Sequence, residues 1–182
     1  DPKGKEAPKK AAAAPVIVLG ENIRLRDAAG RYDLKALAGG KKAILLGKVK
    51  TLTIAGLDGK SALDATELEA DIIEITGPIR GGASVKLGAF KSLRVDALDD
   101  GAALEATALP GAEIALAGNL NGGARVTIHA PAGKILVSGE INGGAQVELL
   151  APDGKIRFRA NDGTIVNGES KLTLVAREVE LL

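Results

Sequence analysis

Two stretches decide the fold: GNLNGGARVTIHAPAG (118–133) and GEINGGAQVELLAPDG (139–154). They align residue for residue at a separation of 21, and GPIRGGASVKLGAF (77–90) is an earlier relative. A period in this range belongs to stacked repeat architectures. Within each copy the apolar residues recur at every second position, as in Val126/Ile128 and Val147/Leu149. That spacing points both side chains to one face of a strand.

Working outward, three apolar columns emerge. The first runs Leu52/Ile54, Ile73/Ile75, Leu93/Val95, Ile114/Leu116, Ile135/Val137 and Ile156/Phe158, with Tyr32/Leu34 before it and Val179/Leu181 after it. Its members lie 21, 20, 21, 21 and 21 residues apart. The second runs Ile23/Leu25, Ile44/Leu46, Leu63/Ala65, Val85/Leu87, Leu104/Ala106, Val126/Ile128, Val147/Leu149 and Leu172/Leu174. The third uses single residues: Leu37, Leu57, Ile79, Leu98, Leu120, Ile141 and Ile165. Three inward sites per repeat imply a triangular coil. Glycine marks the corners at Gly39-Gly40, Gly81-Gly82, Gly122-Gly123 and Gly143-Gly144, where turns demand positive φ.

The expected fold is all-β: a right-handed parallel β-helix of about eight triangular coils of ~21 residues, the hand following the rule for parallel crossovers. Residues 16–182 form it, behind a Lys/Ala/Pro-rich tail or linker at 1–15 (DPKGKEAPKKAAAAP). Composition agrees. Only Tyr32, Phe90 and Phe158 are aromatic, so a narrow interior must be filled by Ala, Val, Ile and Leu. A helical reading fails on the two-residue spacing and the frequent glycine.

Charge and chemistry exclude more than they assign. Net charge is +1 from 24 basic and 23 acidic residues, so no global field draws nucleic acid or an anionic membrane. No apolar run approaches the ~20 residues of a membrane span. Cysteine is absent. His129, the single histidine, follows an inward position and has no second His or Cys with which to share a metal. Asp99-Asp100, followed by Gly101, is the tightest acidic pair, and it falls where other coils carry a turn. Lys155, Arg157 and Arg159 form a local basic run, expected to be a solvated face. Asn121 and Asn142, with Asn167 loosely equivalent, are expected to stack as an asparagine ladder. No catalytic residue, metal ligand or cofactor site is assigned, and the chain is expected not to be an enzyme.

The arrangement of tail 1–15 followed by coils 16–182 rich in Gly, Val, Ile and Leu resembles the bactofilins. These are bacterial polymer-forming proteins with a short N-terminal tail and a small right-handed β-helix. The resemblance implies polymer formation and designates no functional residue.

A solenoid exposes unpaired backbone at its first and last coils, which invites another chain to pair. The first strand PVIVLG (15–20) is apolar, and the last, AREVELL (176–182), stops in apolar residues. The expected function is therefore structural: head-to-tail self-assembly into a fibre through Val16, Ile17 and Val18 at one end and Val179, Leu181 and Leu182 at the other. The alternative is a monomeric adhesion or carbohydrate-binding module with a cell-surface polysaccharide as partner, and behind it a polysaccharide-active enzyme. A bacterial extracellular or cell-surface location is expected, Asp1 standing where a removed leader would end, with a cytoplasmic filament as alternative. Far-UV circular dichroism should show a β-dominated spectrum, and a helical content above about a third would refute the solenoid.

Overall fold

The computed structural model describes residues 30–159 and 165–182, together with the backbone of Val18–Leu19 and Ile23–Arg26. The chain is a parallel β-solenoid of about seven turns, with no helix among the described residues. Two short strands come first, β1 (Val18–Leu19) and β2 (Ile23–Arg26). The strands that follow alternate between two faces. The first face holds β3 (Arg31–Leu34), β5 (Gly47–Ile54), β7 (Leu68–Ile75), β9 (Phe90–Val95), β11 (Glu113–Leu116) and β13 (Lys134–Val137). The second holds β4 (Lys42–Ile44), β6 (Ala62–Ala65), β8 (Ser84–Leu87), β10 (Ala103–Thr107) and β12 (Arg125–His129). β14 (Gln146–Phe158) and β15 (Lys171–Leu181) each run along both faces. The third side is a column of single parallel bridges.

The register matches the repeat. In the first column Ile114 pairs with Leu93 and Ile135, and Ile135 with Ile156. In the second, Val126 pairs with Leu104 and Val147. Tyr32/Leu34 stack on Leu52/Ile54, and Val179/Leu181 on Ile156/Phe158. Each coil thus lies roughly 4.8 Å from the next. Backbone donors follow the same rule at corners: Lys134 N donates to Ala112 O and Lys155 N to Gly133 O.

The turns between the third and second columns share one form. In Asn121–Ala124 the Ala124 amide donates to the Asn121 carbonyl at 3.0 Å, and Gly122 and Gly123 have φ of 59° and 76°. Positive φ at both central residues is the type I′ arrangement. Asp99-Asp100-Gly101-Ala102 forms the same turn, with Asp100 held at φ 50° and the Ala102 amide on the Asp99 carbonyl. The acidic pair is a turn, and Asp99 Oδ1 accepts from the Asp100 amide at 2.8 Å.

Three assignments from the sequence are corrected. On the second face Ala43 of β4 and Leu45 just after it turn inward, Ala43 stacking on Leu63, while Ile44 is 46% exposed; the column member is Ala43/Leu45 and not Ile44/Leu46. Ile23 and Leu25 do not open the second column: β2 pairs antiparallel with β3 on the first face, Ile23 opposite Leu34. On the third side Val166 bridges Ile141, although its neighbour Ile165 packs against the core. The sequence also missed inward sites. Ala83, Ala102, Ala124 and Ala145 are fully buried beside the turns, and Phe90 fills a corner next to Ala70.

Ile135 is buried at the centre of the stack. Ile135→Ala should cost about 2–5 kcal/mol, measured by denaturant unfolding, as buried large-to-small changes do. Asp100→Gly should instead stabilise by up to about 1 kcal/mol, because a side chain in the left-handed region carries a steric cost that glycine lacks.

Candidate functional site

The expected site residues divide between the corners, the outer surface and the two ends. Asn121, Asn142 and Asn167 occupy equivalent positions, their amides donating to Leu98, Leu120 and Ile141 carbonyls one coil away. Their side chains do not bond one another. Asn142 Nδ2 donates to Glu140 Oε2 at 2.9 Å, and the buried Asn121 Oδ1 has no partner among the described residues. The asparagine that bridges coils is Asn119, whose Oδ1 accepts from the Glu140 amide at 3.0 Å.

His129 is exposed on the second face between Thr107 and Leu150. No group of three or more His, Cys, Asp or Glu side chains among the described residues is placed to hold a metal. Among the described residues no helix is long and apolar enough to cross a membrane.

A groove of about 350 Å³ crosses the outside of the first face. Arg94, Ala115, Leu136 and Arg157 follow one another along it in register, with Glu113 and Lys134 beside them. The groove exists because Ala115 is short in a column of long side chains. Two of its basic groups are engaged with neighbouring acids: Arg94 with Asp96 at 3.1 Å, and Lys134 with Glu113 at 3.2 Å.

The ends differ. Val16 and Ile17 lie outside the described residues. Val18, in β1, pairs antiparallel with Ile44 of β4. The chain direction therefore reverses at both β1 and β2, and the expected parallel first strand at 15–20 is corrected where it is described. At the opposite end β15 pairs, among the described residues, on one side only, with β14. Its inward Leu172, Leu174 and Ala176 are half-buried against the core, whereas Val179 is 50% and Leu181 72% exposed; Leu182 is exposed as well. This edge combines unpaired backbone with apolar side chains, the chemistry of strand addition.

An ion cluster lies on the outside of that edge. Lys155 Nζ meets Glu178 at 2.8 Å and Glu180 at 3.0 Å, and Arg157 Nε meets Glu180 at 2.6 Å. Lys155 and Arg157 of the basic run are thus paired rather than free to attract a polyanion. The register of Ile156 on Val179 and Phe158 on Leu181 contained the signal, since it sets Lys155 beside Glu178 and Arg157 beside Glu180. Hydrogen bonds donated by Lys155 above all, and by Arg157, hold Glu180 down at about 2 from an ordinary 4.5. Lys155 is raised, by Glu178 first and then Glu180.

No protein-family model, curated protein or solved structure matches the chain.

Because the folded state depresses Glu180, its stabilising contribution is present in full above about pH 4.5 and disappears as pH falls toward about 2. The difference in Tm between the native chain and Glu180→Gln should be constant from pH 7 to 5. It should close on acidification, and a difference that persists unchanged at pH 2 would contradict the pairing.

Proposed function

We propose that the chain is a non-enzymatic structural protein that self-assembles end to end into a fibre, outside the bacterial cytoplasm or at the cell surface. The observation that supports this is the edge of β15: an 11-residue strand paired on one side only among the described residues, carrying half-buried Leu172 and Leu174 and exposed Val179 and Leu181. The outer surface adds support of another kind, since its charges pair with those of neighbouring coils, as in Lys86–Glu105 and Lys134–Glu113.

In head-to-tail contact, the segment of β15 on the second face meets β1 of the next copy, and the segment on the first face meets β2. β1 and β2 run against the strands they cover, so the junction is an antiparallel ladder. A heterologous contact of this kind does not close and extends into a filament. Its driving force is largely burial of Val and Leu side chains, so added salt weakens it little.

The groove favours a second reading, a monomeric carbohydrate-binding module. Charged Arg94, Glu113 and Lys134 around a floor of Ala115 and Leu136 offer hydrogen bonds to a polysaccharide. The lining carries no aromatic ring on which a sugar would stack.

Light scattering and electron microscopy on the 182-residue chain decide between the two. Concentration-dependent fibres are expected. Leu181→Pro, which removes a ladder donor, and Val179→Lys, which sets a charge on the open edge, should abolish them while leaving the circular dichroism spectrum intact. A native chain that stays monodisperse at high concentration rejects the fibre, and binding of a glycan that Arg94→Ala abolishes would establish the module.

A further inference from the structure

The edge strand on which the assembly reading rests is two units rather than one. Residues 171–176 of β15 pair with 146–151 of β14, and 178–181 pair with 155–158. Between these segments the register breaks: Pro152, Asp153 and Gly154 of β14 stand opposite the single residue Arg177. In that interval β14 turns to the coil on its other side, Asp153 N donating to Pro131 O. The two segments are therefore joined through one residue that lies outside the paired register.

They are also held differently. Leu172, Leu174 and Ala176 pack against the core, so apolar burial anchors the first segment. Val179 and Leu181 are too exposed to anchor the second. What concentrates there is charge. Lys155 has a sheltered basic side chain, at 26% exposure, and Glu180 a sheltered acid, at 31%, against 54% and 63% for Lys86 and Glu105. The two share a network with Glu178 and Arg157, and networks of charges hold where isolated surface pairs contribute little. Beneath the segment lie Ile156 and Phe158, both buried.

We propose that residues 178–182 are a flap hinged at Arg177 and latched by Lys155, Glu178, Glu180 and Arg157. Closed, the flap presents the edge used in assembly; open, it uncovers Ile156 and Phe158 and removes the first-face half of that edge. Strong salt or loss of one partner opens it, while the segment 171–176 stays in place. The proposal rests on the assembly reading only for its consequence, since the latch is a property of the single chain.

Hydrogen–deuterium exchange tests it at a concentration where light scattering finds monomer. In Lys155→Gln, in Glu180→Gln and in the native chain at 1 M NaCl, amides of 178–182 should lose at least about tenfold in protection, while 171–176 and 146–151 remain as in the native chain. Lys134→Gln, which breaks an ion pair on the same face without touching the flap, should leave 178–182 unchanged. Unchanged protection of 178–182 in all three conditions, or an equal loss along the whole of β15, would overturn the latch. Should a variant unfold, the salt series on the native chain still gives the answer. A chain that never forms fibres yet loses protection only at 178–182 retains the latch and loses the assembly reading.

Discussion

Everything in this molecule depends on the hydrogen-bond ladder between successive coils. A coil cannot satisfy its own backbone; Lys134 N must find Ala112 O, and Ser138 N must find Leu116 O, one repeat away. That requirement keeps equivalent residues stacked and makes the interior a set of columns. It also sets what fits at the corners. A Cβ built on Gly118 would collide with the carbonyl of Asp96, and one on Gly77 with that of Ala55, because the coils approach there backbone to backbone. Core positions accept aliphatic side chains of modest size, and Phe90 fits beside Ala70 because its coil neighbour is small.

The same ladder organises the surface. Stacking at one coil per step puts outward residues of neighbouring repeats side by side, where like charges would repel. Lys48 meets Glu69, Lys91 meets Asp71, Lys86 meets Glu105 and Lys155 meets Glu178. Each exposed pair contributes little alone, and their combined effect is a solenoid with no strong field over its sides. What distinguishes one place from another is then where the ladder stops. Among the described residues β1, β2 and β15 each pair on one side only, β1 and β2 antiparallel to the strands they cover and β15 parallel to its neighbour. The assembly reading and the latch both arise from that difference, one from the unpaired edge and the other from the ion cluster along it.

The columns were legible in the sequence wherever polar residues separate the inward ones. Arg125-Val126-Thr127-Ile128-His129 leaves one possible phase, and the observed register matches it. Where both phases are apolar the signal vanishes. Ala43-Ile44-Leu45-Leu46 can point either set inward, and Ile165-Val166 either residue, so both assignments slipped by one position. The latch was partly legible, since stacking Ile156 on Val179 already sets Lys155 beside Glu178.

By itself, then, the amino-acid order determined the repeat, the inward alternation and the corner turns. These are local properties, set by two-residue periodicity and by glycine's access to positive φ at positions such as Gly122 and Gly123. The tertiary structure decided strand direction at β1 and β2, the phase of the ambiguous runs, and the break in register at Arg177. Parallel and antiparallel strands share the same alternation, and a run apolar in both phases takes whichever fills the core left by the coil next to it. Such choices depend on residues about one coil distant in sequence, and only the stacked chain brings those into contact.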